Sequence, residues 1–130
     1  INRNLKIGGY MLDHITLKVS DIEKSKEFYE KVLGEIGIIK KADYDEAVGF
    51  GNKDSQTAPE LWIANGNPNN THVAFRVNSE EEVKNFYNKA LELGASDNGG
   101  PGIREKYAPN YYAAFFHDFD GNNIEAVYYE

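Results

Sequence analysis

The chain has 130 residues, of which 41% are hydrophobic and 13% aromatic, a profile typical of one globular domain. Its formal net charge of −7 argues against nucleic-acid binding, which needs a basic surface, and the absence of cysteine excludes disulfides and thiolate metal sites. Without a long apolar run or a secretion-signal pattern, we expect a cytoplasmic protein that makes no membrane contact.

The first half of the chain reads as a strand, a helix and three further strands. Residues 1–10 are taken as an N-terminal extension. From Leu12 to Val19 apolar and polar side chains alternate, which predicts a half-buried strand with His14 on its open side. Ser20 to Glu23 has the form of a capping box and predicts the start of a helix that ends at Gly34. The three predicted strands that follow lie at 36–40, 46–51 and 60–64.

The second half has the same order of elements. It is separated from the first by an Asn- and Gly-rich linker at 65–70. A strand carrying His72 precedes a helix that begins at Ser79 and ends before Gly94. The remaining predicted strands lie near Ala95, at 111–117 and at 123–129, with a hairpin turn at Asp120-Gly121.

The two halves also repeat each other in sequence. At a shift of 58 residues, eight residues of the first half coincide with identical residues of the second: His14, Val19, Glu23, Lys26, Phe28, Tyr29, Lys31 and Leu33 match His72, Val77, Glu81, Lys84, Phe86, Tyr87, Lys89 and Leu91. At a shift of 65, Phe50 and Glu60 coincide with Phe115 and Glu125. We therefore predict two modules, 11–66 and 71–130, within one domain, each opening with a His and closing with a Glu.

These four residues form a candidate metal site. Strand alternation places His14 and His72 on the open sides of their strands, while Glu60 and Glu125 lie in apolar segments where an unpaired carboxylate is costly. Taken singly, a structural His or a solvent-facing or salt-bridged Glu is the ordinary interpretation. At symmetry-related positions, two imidazoles and two carboxylates favour a divalent ion such as Zn, Ni, Co, Mn or Fe.

Four stretches of the chain resemble the vicinal oxygen chelate superfamily, the group of glyoxalase I, bleomycin-resistance proteins and extradiol dioxygenases: Leu12–Val19, Pro59–Ile63, Thr71–Phe75 and Asp118–Glu125. The resemblance implies an α+β fold in which two tandem βαβββ modules form a curled mixed-sheet cup with the helices outside. It also implies that His14, Glu60, His72 and Glu125 match the four glyoxalase I ligand positions. Small members commonly form homodimers in which each metal takes ligands from both subunits. The chain looks closest to an uncharacterised glyoxalase-like branch.

The leading hypothesis is a metal-dependent lyase or isomerase, similar to lactoylglutathione lyase. Its substrate would be a small 2-oxo compound or its thiol adduct, reacting through an enediolate, with Glu125 as the base and Glu60 as its counterpart. The candidate substrate-binding residues are Trp62, Phe50, Tyr111, Tyr112 and Arg76, although the aromatics fit a core or interface role equally well. Arg76 and Arg104 are each placed to meet a substrate carboxylate, although a surface salt bridge is the expected role of Arg104, and His117 is expected in a structural or exposed position.

Two alternatives from other classes stay open. One is a bleomycin-resistance-like protein that sequesters a ligand without chemistry. The other is an iron-dependent extradiol-type dioxygenase using His14, His72 and Glu125. The sequence alone therefore leaves open whether the chain is an enzyme.

Overall fold

The computed structural model describes residues 12–56 and 58–129; the predicted N-terminal extension lies outside this range. The first module contains β1 (Ile15–Val19), α1 (Ile22–Gly34), β2 (Ile38–Asp43), β3 (Ala47–Asn52) and β4 (Leu61–Asn65). The second contains β5 (His72–Arg76), α2 (Glu80–Glu92), β6 (Ser96–Asp97), β7 (Gly102–Ile103), β8 (Tyr112–His117) and β9 (Asn123–Tyr128). Neither of these helices has the length and apolar character needed to cross a membrane.

Each module forms its own mixed sheet. The strand order is β1-β4-β3-β2 in the first sheet and β5-β9-β8-β6 in the second, with the short β7 also pairing with β8. The opening strand of each module runs parallel to the closing strand, and the other pairs are antiparallel. The predicted α+β fold is confirmed. The weak strand expected near Ala95 is present as β6, and the short β7 is an additional strand that the sequence did not predict.

The two helices begin at different kinds of cap. In α2, Ser79 accepts a hydrogen bond from the Glu82 amide at 3.1 Å, and the Glu82 carboxylate accepts one from the Asn78 amide at 2.7 Å. The predicted Ser20 cap of α1 is wrong, because Asp21 caps the helix and accepts from the Lys24 amide at 3.2 Å. The Ser20 hydroxyl is engaged elsewhere.

One apolar core joins the helix-facing sides of both sheets. The helices bury the faces that their spacing predicts, with Phe28 and Tyr29 of α1 and Phe86 of α2 among the buried residues. Phe116 of β8 lies between the helices, 5.9 Å from Phe28 and 5.3 Å from Phe86 between ring centroids. Because both helices cover the same side, the opposite faces of the two sheets carry no helix.

The loop before β9 is anchored to the first module. Buried Asp118 accepts a 2.5 Å hydrogen bond from the Tyr29 hydroxyl, and it also accepts bonds from the Asn122 amide and side chain. Burial, together with the neighbouring Asp118 carboxylate, raises the pKa of Tyr29 well above its ordinary value. The Ser20 hydroxyl donates to Asp120 at 2.6 Å. These contacts fix the second module's closing strand, which carries Glu125, against the first module.

Candidate metal site

The closing strand of the second module carries a buried carboxylate with two defined partners. Glu125 is 2% exposed. Its Oε1 lies 2.9 Å from His72 Nε2, and its Oε2 accepts a 2.5 Å hydrogen bond from the Tyr111 hydroxyl. His72 reaches Glu125 because β5 and β9 are parallel neighbours in register, with His72 opposite Asn123 and Ala74 opposite Glu125. The predicted pairing of a His and a Glu within the second module therefore has direct geometric support.

Tyr111 donates a hydrogen bond to this carboxylate. Burial, followed by the hydrogen bond to Glu125 and the charge of that carboxylate, raises the pKa of Tyr111 well above its ordinary value. The phenol is therefore protonated at neutral pH. Its proton points at Oε2, which leaves Oε1 as the oxygen that faces His72.

In the first module the equivalent carboxylate is exposed, while the histidines of the two modules are equally exposed. His14 is exposed, and its Nδ1 lies 2.7 Å from the Asp13 carboxylate. Glu60 is exposed at the start of β4, and its backbone N–H donates to the Phe50 carbonyl at 2.9 Å. His14, Glu60 and His72 line one hollow of about 470 Å³ between the opening strands. Three of the four predicted ligands thus share a cavity, and the fourth contacts His72.

The second-module pair has the spacing of two neighbouring metal ligands. Nitrogen and oxygen donors that each lie about 2.1 Å from one ion, at roughly a right angle, are about 3 Å apart; His72 Nε2 and Glu125 Oε1 are 2.9 Å apart. Within residues 12–56 and 58–129, however, no three His, Cys, Asp or Glu side chains are close enough to hold an ion. The same 2.9 Å separation is that of an ordinary hydrogen bond, so the pair is compatible with two ligands of one ion, and a complete site would need further donors.

The open face of the second sheet is largely apolar next to Glu125. Ala113, Phe115 and Val127 form a small cluster there, flanked by Tyr111 and Tyr129. Arg76 lies over the Tyr129 ring at 4.2 Å and donates to its carbonyl at 3.0 Å, so both Tyr111 and Arg76 lie on the predicted side. Tyr112 does not, because strand alternation turns it toward the main core.

The open face of the first sheet carries a stacked aromatic pair. Trp62, two residues after Glu60, stacks on Tyr44 with centroids 6.2 Å apart and an angle of 13°. Beneath it, a Cβ on Gly49 would lie 2.7 Å from Pro59 and 3.1 Å from Trp62, so this position requires glycine. Tyr44 carries no sequence signal of its own, since it lies in a polar turn outside the repeat.

Phe50 lies on the opposite side from the one predicted. It is 0% exposed and pairs with Leu61, whereas Phe115 pairs with Glu125. The two phenylalanines match at a shift of 65, but the strand pairings of the two modules differ by one residue. Each side chain of β3 therefore faces the opposite side of the sheet from the β8 residue that it matches in sequence. Phe50 therefore packs in the core, and the repeat does not reveal this register difference.

A polar hollow of about 360 Å³ adjoins Glu125 through Phe115, and it is lined by Asn98, Arg104, Lys106, Tyr107, Phe115 and Asn123. The surface salt bridge predicted for Arg104 is wrong: its guanidinium donates to the backbone carbonyls of Gly100, Gly102 and Ala113 at 2.8 to 2.9 Å. The glycine-rich segment before Arg104 could have indicated these bonds, because glycine residues leave their backbone carbonyls accessible to a hydrogen-bond donor. His117 ends β8, half-buried, paired with Ser96 and Asn123.

Known proteins are similar to this chain in sequence and in fold. The metallothiol transferase FosB of Staphylococcus haemolyticus is 28% identical over 126 residues, covering 88% of this chain and 80% of the relative. The same enzyme of Lysinibacillus sphaericus is 30% identical, covering 88% and 79%. A glyoxalase/bleomycin resistance protein from Albidiferax ferrireducens superposes with a TM-score of 0.79 at 26% identity, covering 92% of this chain and 100% of that one.

A more distant structure shares the fold. A mutant of the fosfomycin resistance protein FosX from Listeria monocytogenes, solved with Mn(II) and 1S,2S-dihydroxypropylphosphonic acid, superposes with a TM-score of 0.66 at 22% identity, covering 94% and 90% of the two chains. The family model of the Glyoxalase/Bleomycin resistance protein/Dioxygenase superfamily matches residues 11–126. The chain therefore belongs to this superfamily.

Proposed function

We propose that the chain is a divalent-metal-dependent enzyme that acts on a small oxygen-bearing electrophile, in the manner of the glyoxalase-like lyases and of the FosB and FosX relatives. The observation that carries this proposal is the buried Glu125, paired at 2.9 Å with His72 beside a hollow that His14 and Glu60 also line. His72, Glu125 and His14 would hold the ion. When bound, the ion would polarise oxygens of the substrate.

Glu60 is the better candidate for the base. The sequence hypothesis gave this role to Glu125, but both Glu125 oxygens have close partners and the group is buried. Glu60 is exposed and lines the hollow that holds His14 and His72. A base must reach the proton that it removes, so the solvent-facing carboxylate fits the role better. Glu60 would move a proton on the substrate or activate a thiol or water.

The polar hollow supports a substrate with an anionic group. Arg104 and Lys106 line it together with Asn98 and Asn123, and no acidic side chain is among its lining residues in the described part of the chain. In a protein of net charge −7, this is a local reversal of sign. The phosphonic acid in the FosX complex has such a group. A phosphonate or carboxylate on the substrate would be oriented here beside Glu125.

The site would be completed by a second copy of the chain. β1 and β5, which carry or adjoin the two histidines, are edge strands of their sheets. An edge strand offers unpaired backbone groups to another chain. A homodimer that brings His14 and Glu60 of one subunit, which line the same cavity, to the His72–Glu125 pair of the other would supply the third ligand and the base that a single described chain does not assemble there.

The experiment is a substrate screen with the protein loaded with Mn²⁺, Zn²⁺ or Ni²⁺. Methylglyoxal and an epoxide phosphonate are each offered with a panel of thiols or with water, and products are followed by NMR. We expect metal-dependent turnover of at least one pair, which Glu60→Gln abolishes while the metal remains bound. Glu46→Gln, another exposed carboxylate of the first module, is the matched control. Absence of turnover with every pair, despite full metal loading, would remove the enzymatic proposal.

The stacked pair of Tyr44 and Trp62, in which Tyr44 is exposed, favours a second candidate, a protein that sequesters an apolar ligand. In that case protein stripped of metal should bind bleomycin-like compounds tightly, and Glu60→Gln should leave their affinity unchanged. Binding that depends on the metal would count against sequestration.

A further inference from the structure

Two aromatic rings and one hydrogen bond hold Tyr111 beside Glu125. Its ring stacks on Tyr129 with centroids 5.4 Å apart and an angle of 15°, and Arg76 covers the Tyr129 ring at 4.2 Å. Tyr107 meets it edge-on at 5.3 Å. These contacts restrict rotation of the Tyr111 side chain and keep its hydroxyl at 2.5 Å from Glu125 Oε2.

The first module has no counterpart of this tyrosine. On the open faces of the two sheets, Gly49 pairs with Trp62 as Ala113 pairs with Val127. Two residues before these positions stand Ala47 in the first module and Tyr111 in the second. An alanine methyl cannot donate a hydrogen bond. The donor is thus confined to the module whose Glu is buried and paired with its His.

We propose that Tyr111 is a positioning residue that decides which oxygen of Glu125 meets the metal, an inference that rests on the function proposed above. A carboxylate can bind an ion through one oxygen or through both. With Oε2 held by the phenol, Oε1, which lies 2.9 Å from His72 Nε2, is the oxygen left to face an ion beside that imidazole. Glu125 is thereby restricted to one-oxygen ligation, which leaves a further position on the ion open for substrate.

This role differs from the substrate-contacting role that the sequence suggested for Tyr111. A residue that only lined the substrate cavity would alter substrate affinity and leave the metal unchanged. Partners that orient a ligand act on the metal itself, and their removal typically weakens metal affinity about 10- to 100-fold.

The test compares wild-type protein with Tyr111→Phe and Tyr107→Phe. Tyr111→Phe keeps the stacked ring and removes only the hydroxyl, while Tyr107→Phe changes an exposed neighbour that touches the same ring. Mn²⁺ affinity is measured by calorimetry, and the coordination of bound Mn²⁺ by its EPR spectrum and a crystal structure of each loaded protein. Melting of the metal-free proteins checks that each variant folds.

We expect Tyr111→Phe to bind Mn²⁺ at least about 10-fold more weakly, with a changed EPR spectrum and both Glu125 oxygens turned to the ion, and Tyr107→Phe to match wild type. Equal affinity and an unchanged spectrum in Tyr111→Phe would overturn this inference and leave the proposed function standing. A wild-type protein that binds no Mn²⁺, Zn²⁺ or Ni²⁺ would overturn both, so the two failures are distinguishable.

Discussion

The two modules carry the same pair of residues in different states. In the second, Glu125 is 2% exposed and contacts both His72 and Tyr111. In the first, Glu60 is exposed, and His14, which is as exposed as His72, contacts Asp13 instead. The duplicated sequence has therefore produced one module whose carboxylate is buried and paired with its histidine and one module whose carboxylate is exposed.

The difference has two physical causes. The pairing of β3 with β4 differs by one residue from that of β8 with β9, so Gly51 rather than Phe50 lies next to Glu60 on the open face. In addition, Ala47 occupies the place of Tyr111, so this position supplies no phenol to the first carboxylate. We infer that the second module supplies a preorganised ligand pair and the first supplies groups that can move toward substrate.

The largest expected effect separates the two carboxylates. Glu125→Gln should weaken Mn²⁺ binding by about 100-fold or more, because it removes a charged ligand. Glu60→Gln should change Mn²⁺ affinity by less than about 10-fold, because Glu60 acts on substrate in our account. Calorimetric titration of both variants measures this contrast. Equal losses of affinity would show that the two modules contribute equally to the metal, as the symmetric sequence hypothesis held.

A second contrast uses another matched pair of the repeat, Tyr29 and Tyr87. Tyr29→Phe removes the hydroxyl from buried Asp118 and should destabilise the fold by about 1–3 kcal/mol. Tyr87→Phe removes an exposed bond to Asp97 and should have a much smaller effect. Urea unfolding gives both values. A larger loss in Tyr87→Phe would mean that the Asp118 loop does not anchor the two modules.

A third contrast concerns two glycines of the first module. Gly49→Ala should cost about 1–3 kcal/mol, because the new methyl would meet Pro59 and Trp62 under the aromatic pair. Gly34→Ala, at the end of α1, meets no atom within 4 Å and should stabilise the protein by up to about 1 kcal/mol. The melting temperature should therefore fall in Gly49→Ala and rise in Gly34→Ala. A change in the same direction in both variants would contradict the packing described for Trp62.

The smallest expected effect is a pH dependence at Asp43. Hydrogen bonds from Lys26 and then Lys40 lower the pKa of this exposed carboxyl. A lowered folded-state pKa contributes stability that is present above the unfolded value of about 3.9 and is lost as the pH falls through the folded value. The melting temperature of Asp43→Asn should lie slightly below that of wild type at pH 7, and the gap should close toward pH 3. A gap that widened in acid would contradict this sign.

The repeat and the strand alternation predicted the fold and the four candidate ligands from sequence. Both depend on local periodicity, which the chain carries clearly in residues such as Leu17, Val19 and Phe28. Alternation by itself also places the adjacent Tyr111 and Tyr112 on opposite faces, whereas the position of Phe50 and the partners of Arg104 could not be predicted in this way. They depend on strand register and on a loop whose carbonyls face inward, and a single sequence does not encode either of these as a pattern.

The most direct test of the account is metal binding by mixed variants. His14→Ala and His72→Ala each remove one ligand, and neither should bind Mn²⁺ tightly alone. If the site is shared between two subunits, subunit exchange should restore about one quarter of the wild-type binding capacity, because half of the dimers are mixed and each mixed dimer has one intact site. Wild-type protein that binds about one ion per chain, together with this partial recovery, is the predicted result. A mixture that binds no more Mn²⁺ than its components would contradict the shared site.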